Sequence, residues 1–359
     1  MAKVLVGLSG GVDSAVAAAL LVEQGHEVAA GYMKNWINQE GIPGDCPWEQ
    51  DIEDAHSVAC KLGIEFRVID LIDSYRERIV DYLVEGYRSG ITPNPDVWCN
   101  REMKFGIFLD YALEQGFEKV ATGHYARHRE ANGMAQILRG ADPNKDQSYF
   151  LSLMTRRQVE HALFPTGEML KPAVREAARR FDLPVAGKKD SQGICFLGQV
   201  KMTDFLSHYL EDNPGEIVNT EGKVMGNHRG LHFYTLGQRK GHGVASPREA
   251  MAYVVVGKDV AKNQLIVGWD SADSGELYTA QCMVGAVSAI NEPLDCMRLI
   301  EAQPRYRAKA EPAMLEPVDG GRLSLKFERP QRAIAPGQVC AFYDGGRLLG
   351  GGVFESTSP

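Results

Sequence analysis

A short apolar run, Val4-Leu5-Val6-Gly7-Leu8, leads into Ser9-Gly10-Gly11-Val12-Asp13-Ser14, and a helix-forming stretch, Ala15 to Gln24, follows at once. A strand that turns through paired glycines into a helix leaves few options. Backbone N–H groups converge at the turn, and the helix dipole favours an anion there. Adjacent glycines let the main chain approach such a group closely, and the serine hydroxyls add donors. The loop lacks the lysine of a G-x-x-x-x-G-K-[ST] phosphate loop, so it is not of that type. A bare Gly-Gly is often only a turn. Serine on both sides and Asp13 inside the helix start set this one apart as an anion site.

The 359 residues are enough for two or three domains, each with its own core. The chain starts with a strand, carries no basic–apolar leader and has no apolar run near the roughly 18 residues of a membrane span. The expectation is a soluble, cytoplasmic protein with no membrane partner. Seven cysteines (Cys46, Cys60, Cys99, Cys195, Cys282, Cys296 and Cys340) are an odd number without any C-x-x-C, which argues for reduced thiols and against a zinc ribbon. The net charge of −8 speaks against nucleic acid until its distribution is read. Residues 1–75 hold 12 acids and 4 bases, so the other residues carry 35 of each sign. Basic patches are therefore available later: Lys171 to Lys189 has six cations against two acids, and Arg305-Tyr306-Arg307 interleaves charge with a ring. Such patches are usually solvated faces, but they can also track a phosphate backbone.

Strand candidates at Val4–Leu8, Glu27–Met33, Glu65–Leu71 and Lys119–His124 alternate with helix candidates at Asp13–Gln24, Glu49–Leu62, Asp73–Arg88 and Met103–Gln115. Alternation of this kind predicts an α/β fold with a parallel sheet covered on both faces. Ligands of such sheets sit beyond the carboxyl ends of the strands, where Gly10, Met33 and Gly123 fall. A mixed zone with a basic helix, Pro172–Phe181, comes next, then a helix at Thr203–Leu210 and a Gly-rich β segment. Beyond Gly275 six strand-like runs separated by Pro and Gly predict a small β-barrel. The expected division is 1–200, 201–274 and 275–359. The 127–136 segment carries no distinctive signal.

Cys99 follows Thr92-Pro93-Asn94-Pro95-Asp96-Val97-Trp98, where the prolines predict an extended, rigid loop. Cys195 lies in a polar turn, Asp190-Ser-Gln-Gly-Ile-Cys-Phe196, beside Lys188 and Lys189. Loop cysteines near cations have lowered pKa. Cys46 also lies in a loop, so composition does not choose a reactive pair. Cys60, Cys282, Cys296 and Cys340 sit in apolar periodic runs and read as core.

The S-G-G-x-D-S pattern resembles the pyrophosphatase loop of enzymes that use ATP to adenylate a carbonyl oxygen. Further stretches join it: Asn94-Pro-Asp96 with Cys99-Asn100, Ala121-Thr-Gly-His-Tyr-Ala126, Lys145-Asp-Gln-Ser-Tyr-Phe150, Lys188 to Phe196, Tyr234-Thr-Leu-Gly-Gln-Arg-Lys-Gly241 and Ala335-Pro-Gly-Gln338. In this order, over essentially the whole chain, they resemble the tRNA-specific 2-thiouridylases, or tRNA-uridine 2-sulfurtransferases. The resemblance implies an ATP-pyrophosphatase domain, a central tRNA-contacting domain and a C-terminal β-barrel. It implies ATP and Mg²⁺ as cofactors, with ATP held by Gly7, Leu8, Ser9, Gly10, Gly11, Val12, Asp13, Ser14, Met33 and Gly123. The implied partners are a tRNA whose anticodon begins with uridine and a persulfide donor, either a cysteine desulfurase or a sulfur-relay protein. Cys195 would carry the persulfide, and Cys99 would be the partner that can attack it, release sulfide and leave a transient Cys99–Cys195 disulfide; direct attack by the persulfide and attack by released sulfide both fit the sequence. Asn94, Pro95 and Asp96 would hold the target base, Asp96 as general acid or base. His124, Lys145, Asp146, Gln147, Arg305, Tyr306 and Gln338 would contact tRNA. Arg305 and Tyr306 also make sense unaided as a backbone clamp and a stacking ring, with Arg307 an alternative to Arg305.

A synthetase of the same fold class acting on a small-molecule carbonyl would share the Ser9–Ser14 loop but has no need of paired loop cysteines. An RNA-binding module using ATP structurally, and a thiolase with an iron–sulfur cluster, are further alternatives; the missing C-x-x-C counts against the last.

Overall fold

The computed structural model describes residues 1–38, 41–43, 48–189, 200–245, 252–271 and 274–358. Its first unit runs β1 (Lys3–Gly7), α1 (Val12–Glu23), β2 (Glu27–Lys34), α2 (Trp48–Leu62), β3 (Glu65–Asp70), α3 (Ile72–Tyr75), α4 (Asp81–Arg88), α5 (Pro95–Cys99), α6 (Phe108–Glu114) and β4 (Lys119–Ala121). The hairpin β5 (Ala126–Ala131) and β6 (Met134–Arg139) follows, then α7 (Arg156–Glu160), β7 (Ala162–Leu163) and α8 (Lys171–Arg180). Five of these strands form a parallel sheet in the order β3-β2-β1-β4-β7. The central strand explains itself: Val4, Leu5 and Val6 are wholly buried, as a strand covered on both faces requires. Val4 and Val6 join the core under α1, α2 and α8, whereas Leu5 points to the core under α3 to α6. The small residues Ala15, Ala17, Ala18 and Ala19 let α1 sit close between sheet and α8.

The second unit comprises α9 (Met202–Tyr209) and the strands β8 (Gly215–Asn219), β9 (Val224–His228), β10 (Tyr253–Asp259) and β11 (Gln264–Trp269), in a sheet ordered β10-β11-β8-β9. Then come β12 (Tyr278–Ala289), β13 (Arg298–Gln303), β14 (Glu311–Val318), β15 (Arg322–Arg332), β16 (Val339–Asp344) and β17 (Arg347–Ser358). Their order, β12-β15-β14-β13-β16-β17, closes through β12–β17 pairing into the expected six-stranded barrel. Cys282 and Cys340 line its interior, and burial pushes the Cys282 thiol up to about 12 and Cys340 upward as well. Both are inert at neutral pH. Cys60 and Cys296 correct the reading of them as core, for both are exposed. On α2 the buried positions are Ala55, Val58 and Ala59, which turns Cys60 outward. Cys46 lies outside the described residues.

The undistinguished 127–136 segment is the β5–β6 hairpin, turned at Asn132-Gly133 with both φ positive. It leaves the parallel sheet and extends the barrel sheet: Leu138 pairs with Arg347, and Arg139 N–H donates to Gly346 O at 2.9 Å. The core beneath the sheet likewise runs on into Val339, Ala341, Tyr343 and Leu348 of the barrel wall. No helix among the described residues is long and apolar enough to cross a membrane.

Candidate active site

The glycine turn after β1 has the geometry its sequence demands. Gly10 has φ +72°, and a Cβ there would lie 2.6 Å from Asp51 O of α2. Ser9 N–H donates to Ser14 Oγ at 3.2 Å, and that hydroxyl donates to Gly11 O at 3.1 Å. Gly11 starts α1 in extended conformation and no side chain caps the helix, so its first N–H groups face the turn as anion donors. Gly123, just past β4, closes the loop from the other side: a Cβ would lie 2.6 Å from both Asp13 C and Ser14 N. Met33 is packing beneath the loop, its Cε 3.2 Å from where a Gly7 Cβ would stand. Asp13, in the first turn, takes two partners that sequence reading did not single out. Lys171 Nζ from the start of α8 lies 2.7 Å from Asp13 Oδ1, and Tyr125 OH donates to the same oxygen at 2.8 Å. Lys171 belonged to the basic run noted in the sequence; the buried Tyr125 had no signal beyond its place in the 121–126 motif.

The Asn94–Cys99 stretch corrects an expectation. It is a helix, not an extended loop. Asn94 is the N-cap and accepts from Val97 N–H at 3.3 Å, and Pro95 occupies the first turn, where its fixed φ and missing N–H do no harm. Helical winding then continues through wide turns at Asn100–Ile107 into α6. Asn94 Nδ2 donates to Tyr149 OH at 3.4 Å, and Asn100 Nδ2 to Asp96 O at 3.0 Å. Cys99 is only 1 % exposed, packed in the core under the sheet. Cys195 lies outside the described residues, with 190–199. Lys188, just before that segment, bridges Asp51 Oδ1 at 2.7 Å and Asp54 Oδ2 at 2.6 Å. Burial opposes its charge, yet the two carboxylates outweigh that and raise its pKa.

Residues 2–199 match a family model described as the tRNA methyl transferase HUP domain, 203–269 the tRNA methyl transferase PRC-barrel domain, and 280–354 an aminomethyltransferase beta-barrel domain. A tRNA-specific 2-thiouridylase MnmA of Akkermansia muciniphila is 66% identical over 359 residues, covering 100% of both chains. The chain belongs to the tRNA-specific 2-thiouridylase family. A member from Pseudomonas syringae pv. syringae is 45% identical over 365 residues, covering 100% of this chain and 96% of its own.

Set in this family member, the residues expected at tRNA fall into two groups. His124 is buried, its Nδ1 2.7 Å from Thr122 Oγ1 and its ring against Phe105 and Phe164. Burial, and then the Lys104 charge, hold its pKa well below 6.5. Asp146 accepts from Gly140 and Ser148 N–H at 2.9 and 3.1 Å and pairs with Arg139 at 2.9 Å. Gln147 Oε1 accepts from Tyr125 N–H at 3.0 Å. Gln338 Nε2 donates to Thr92 O at 2.8 Å and Pro93 O at 3.3 Å. These four side chains are engaged inside the protein. Lys145 is half-buried, Tyr306 packs on Phe150 with ring centroids 4.4 Å apart, and Arg305 stands exposed. Arg307, the alternative, has φ +62° and lies over the Tyr306 ring.

Proposed function

We propose that this chain replaces the C2 oxygen of the anticodon-first uridine of tRNA with sulfur, using ATP. The observation that carries the reading is the uncapped α1 N-terminus behind Gly10 and Gly11, closed by Gly123, in a chain two-thirds identical to a thiouridylase along its full length. The turn suits ATP phosphates: its glycines admit them, and the first N–H groups of α1 bind their charge. Asp13 is the carboxylate that would hold Mg²⁺ beside them; Mg²⁺ keeps few protein ligands and leans on phosphate oxygens. Lys171, already on Asp13, supplies a second cation.

The uridine O2 attacks the α-phosphorus and pyrophosphate leaves, which turns a poor carbonyl electrophile into one with a good leaving group. Asn94, Pro95 and Asp96 hold the base, with Asp96 as the proton-handling group. The persulfide on Cys195 is attacked by the Cys99 thiol. The Cys195 S–S bond breaks, a Cys99–Cys195 disulfide forms, and hydrosulfide is released to displace AMP from C2. A thiol reductant then resets the disulfide, and an external persulfide carrier reloads Cys195. Cys99 is buried here, so the attack requires the Cys195 sulfur to be brought to a thiol screened from solvent.

Nucleoside mass spectrometry of an unmodified anticodon-U tRNA, incubated with enzyme, ATP, Mg²⁺ and sulfide beside Cys99→Ala and Cys195→Ala, tests the reading. One sulfur-for-oxygen exchange at the wobble uridine is expected, with the cysteine variants partly rescued by free sulfide. ATP cleavage to AMP and pyrophosphate with no exchange would instead favour the small-molecule synthetase.

A further inference from the structure

The segment Gly90–Pro93, between α4 and the Asn94 cap of α5, is gripped by both of the other units. Lys258 of β10 donates through Nζ to Gly90 O at 3.1 Å. Thr235, also of the second unit, meets Thr92 Oγ1 through its own hydroxyl at 3.4 Å. From the barrel, Pro336 O accepts from Thr92 N–H at 2.9 Å, and Gln338 Nε2 donates to Thr92 O at 2.8 Å. One residue on, Asn94 donates to Tyr149 OH, which itself donates to Val339 O of β16 at 2.8 Å. The fit is close: a Cβ on Gly337, whose φ is +89°, would lie 2.9 Å from Thr92 O. A Cβ on Gly86 would strike Pro93 Cγ at 2.2 Å.

We propose that Gly90–Pro93 is the junction through which the second unit and the barrel set the position of the Asn94–Cys99 helix, with Lys258 and Gln338 as its two positioning residues. The proposal rests on the thiolation reading for the role of that helix. Three features favour it over plain scaffolding. A half-buried lysine is a costly way to satisfy one backbone carbonyl, and partial desolvation lowers its pKa to about 8. Gly90 and Thr92 of one short segment are held from two units outside the sheet that carries the phosphate loop. The held segment ends on the cap of the helix bearing Asp96 and Cys99. RNA bound against the second unit and the barrel would therefore move that helix with them. Gln338 acts here as a brace to Thr92 and not as an RNA contact.

The test uses the full-length chain with Lys258→Met and Gln338→Leu, an anticodon-U tRNA, and iodoacetamide followed by peptide mass spectrometry at Cys99. In the wild type, saturating tRNA changes the Cys99 alkylation rate; in both variants tRNA still binds but that response is lost. In turnover, kcat for tRNA-dependent pyrophosphate release falls by about tenfold, in the range a small misplacement of reacting groups costs. KM for tRNA stays within about twofold, as expected when binding itself is untouched. Variants whose Cys99 responds to tRNA as the wild type does would overturn the proposal, as would a Gln338→Leu defect confined to KM for tRNA, which marks an RNA contact. If Lys258→Met shows no cooperative unfolding, Gln338→Leu carries the test alone. Absence of tRNA binding by the wild type would sink the thiolation reading instead. The alkylation rate without tRNA would then decide the brace: faster in the variants if it holds the helix, unchanged if it does not.

Discussion

Lys171 Nζ and Asp13 Oδ1 are 2.7 Å apart across 158 residues of sequence, and they join the start of α8 to the first turn of α1. Only 14% of the lysine side chain and 32% of the aspartate are exposed, so solvent screens the pair incompletely. On the proposed reading of the turn as the ATP site, the ammonium would sit where a triphosphate meets the helix N-terminus and could pass from carboxylate to phosphate as ATP arrives. Lys171→Met should raise KM for ATP by about tenfold or more, the scale of one lost charge-assisted contact, with tRNA affinity unchanged. Steady-state pyrophosphate release against ATP concentration checks this; an unaltered KM would confine Lys171 to a structural pair.

Lys188 leads into the segment that bears Cys195, and its bonds to Asp51 and Asp54 tie it to α2, whose Asp51 carbonyl lies against Gly10. Arg175 adds a hold on the backbone through Ala186 O at 3.2 Å and Lys188 O. Removing the ammonium leaves two neighbouring carboxylates without their shared cation. Lys188→Met should slow persulfide-driven thiolation by about tenfold or more, since effective molarity depends on held geometry. Sulfide-driven thiolation should keep most of its rate. Parallel assays with the two sulfur sources separate these outcomes, and an equal loss in both would place Lys188 in ATP binding instead.

The strand–glycine turn–helix after β1 is legible in sequence because its determinants are local: a buried strand, two glycines and a helix start within one dozen residues. The alternation that follows gave the parallel sheet for the same reason. The Pro93–Cys99 stretch reads as extended because prolines break helices, although Asn94 before Pro95 is a helix-start signature. The hairpin has only its Asn132-Gly133 turn as a local signal, and its pairing to Arg347 lies too far along the chain for any local pattern to report. Lys171 and Tyr125 reach Asp13 across 158 and 112 residues, so only the folded topology reveals them. Cys60 and Cys296 look apolar by neighbourhood, but helix phase and loop exposure decide their surroundings.

Gly123 offers a steric test of the loop. A methyl group there would lie 2.6 Å from Asp13 C and Ser14 N, both backbone atoms that cannot swing aside. Gly123→Ala must push the end of β4 from α1 or shift the phosphate loop, a cost of about 1–3 kcal/mol for overpacking. The expected result is a lower urea midpoint with pyrophosphate release reduced by about tenfold or more. Wild-type turnover in this variant would show that β4 does not close the loop.

His124 links burial to acid stability. Its ring is enclosed by Phe105 and Phe164, and Nδ1 meets Thr122 Oγ1. Burial, with the Lys104 charge behind it, holds the folded pKa well below 6.5. Between the two values the unfolded chain binds a proton that the native chain does not, so stability rises with pH there and falls as pH drops below about 6.5. The slope from this one group approaches about 1.4 kcal/mol per pH unit. His128, His228 and His232 are also lowered, chiefly by burial, and add to it in the same direction. Urea unfolding at pH 7.5, 6.0 and 5.0, run beside His124→Gln, should give the variant a shallower dependence on pH throughout this acid window. An equal slope would mean that His124 protonates in place, as a histidine facing RNA and solvent would.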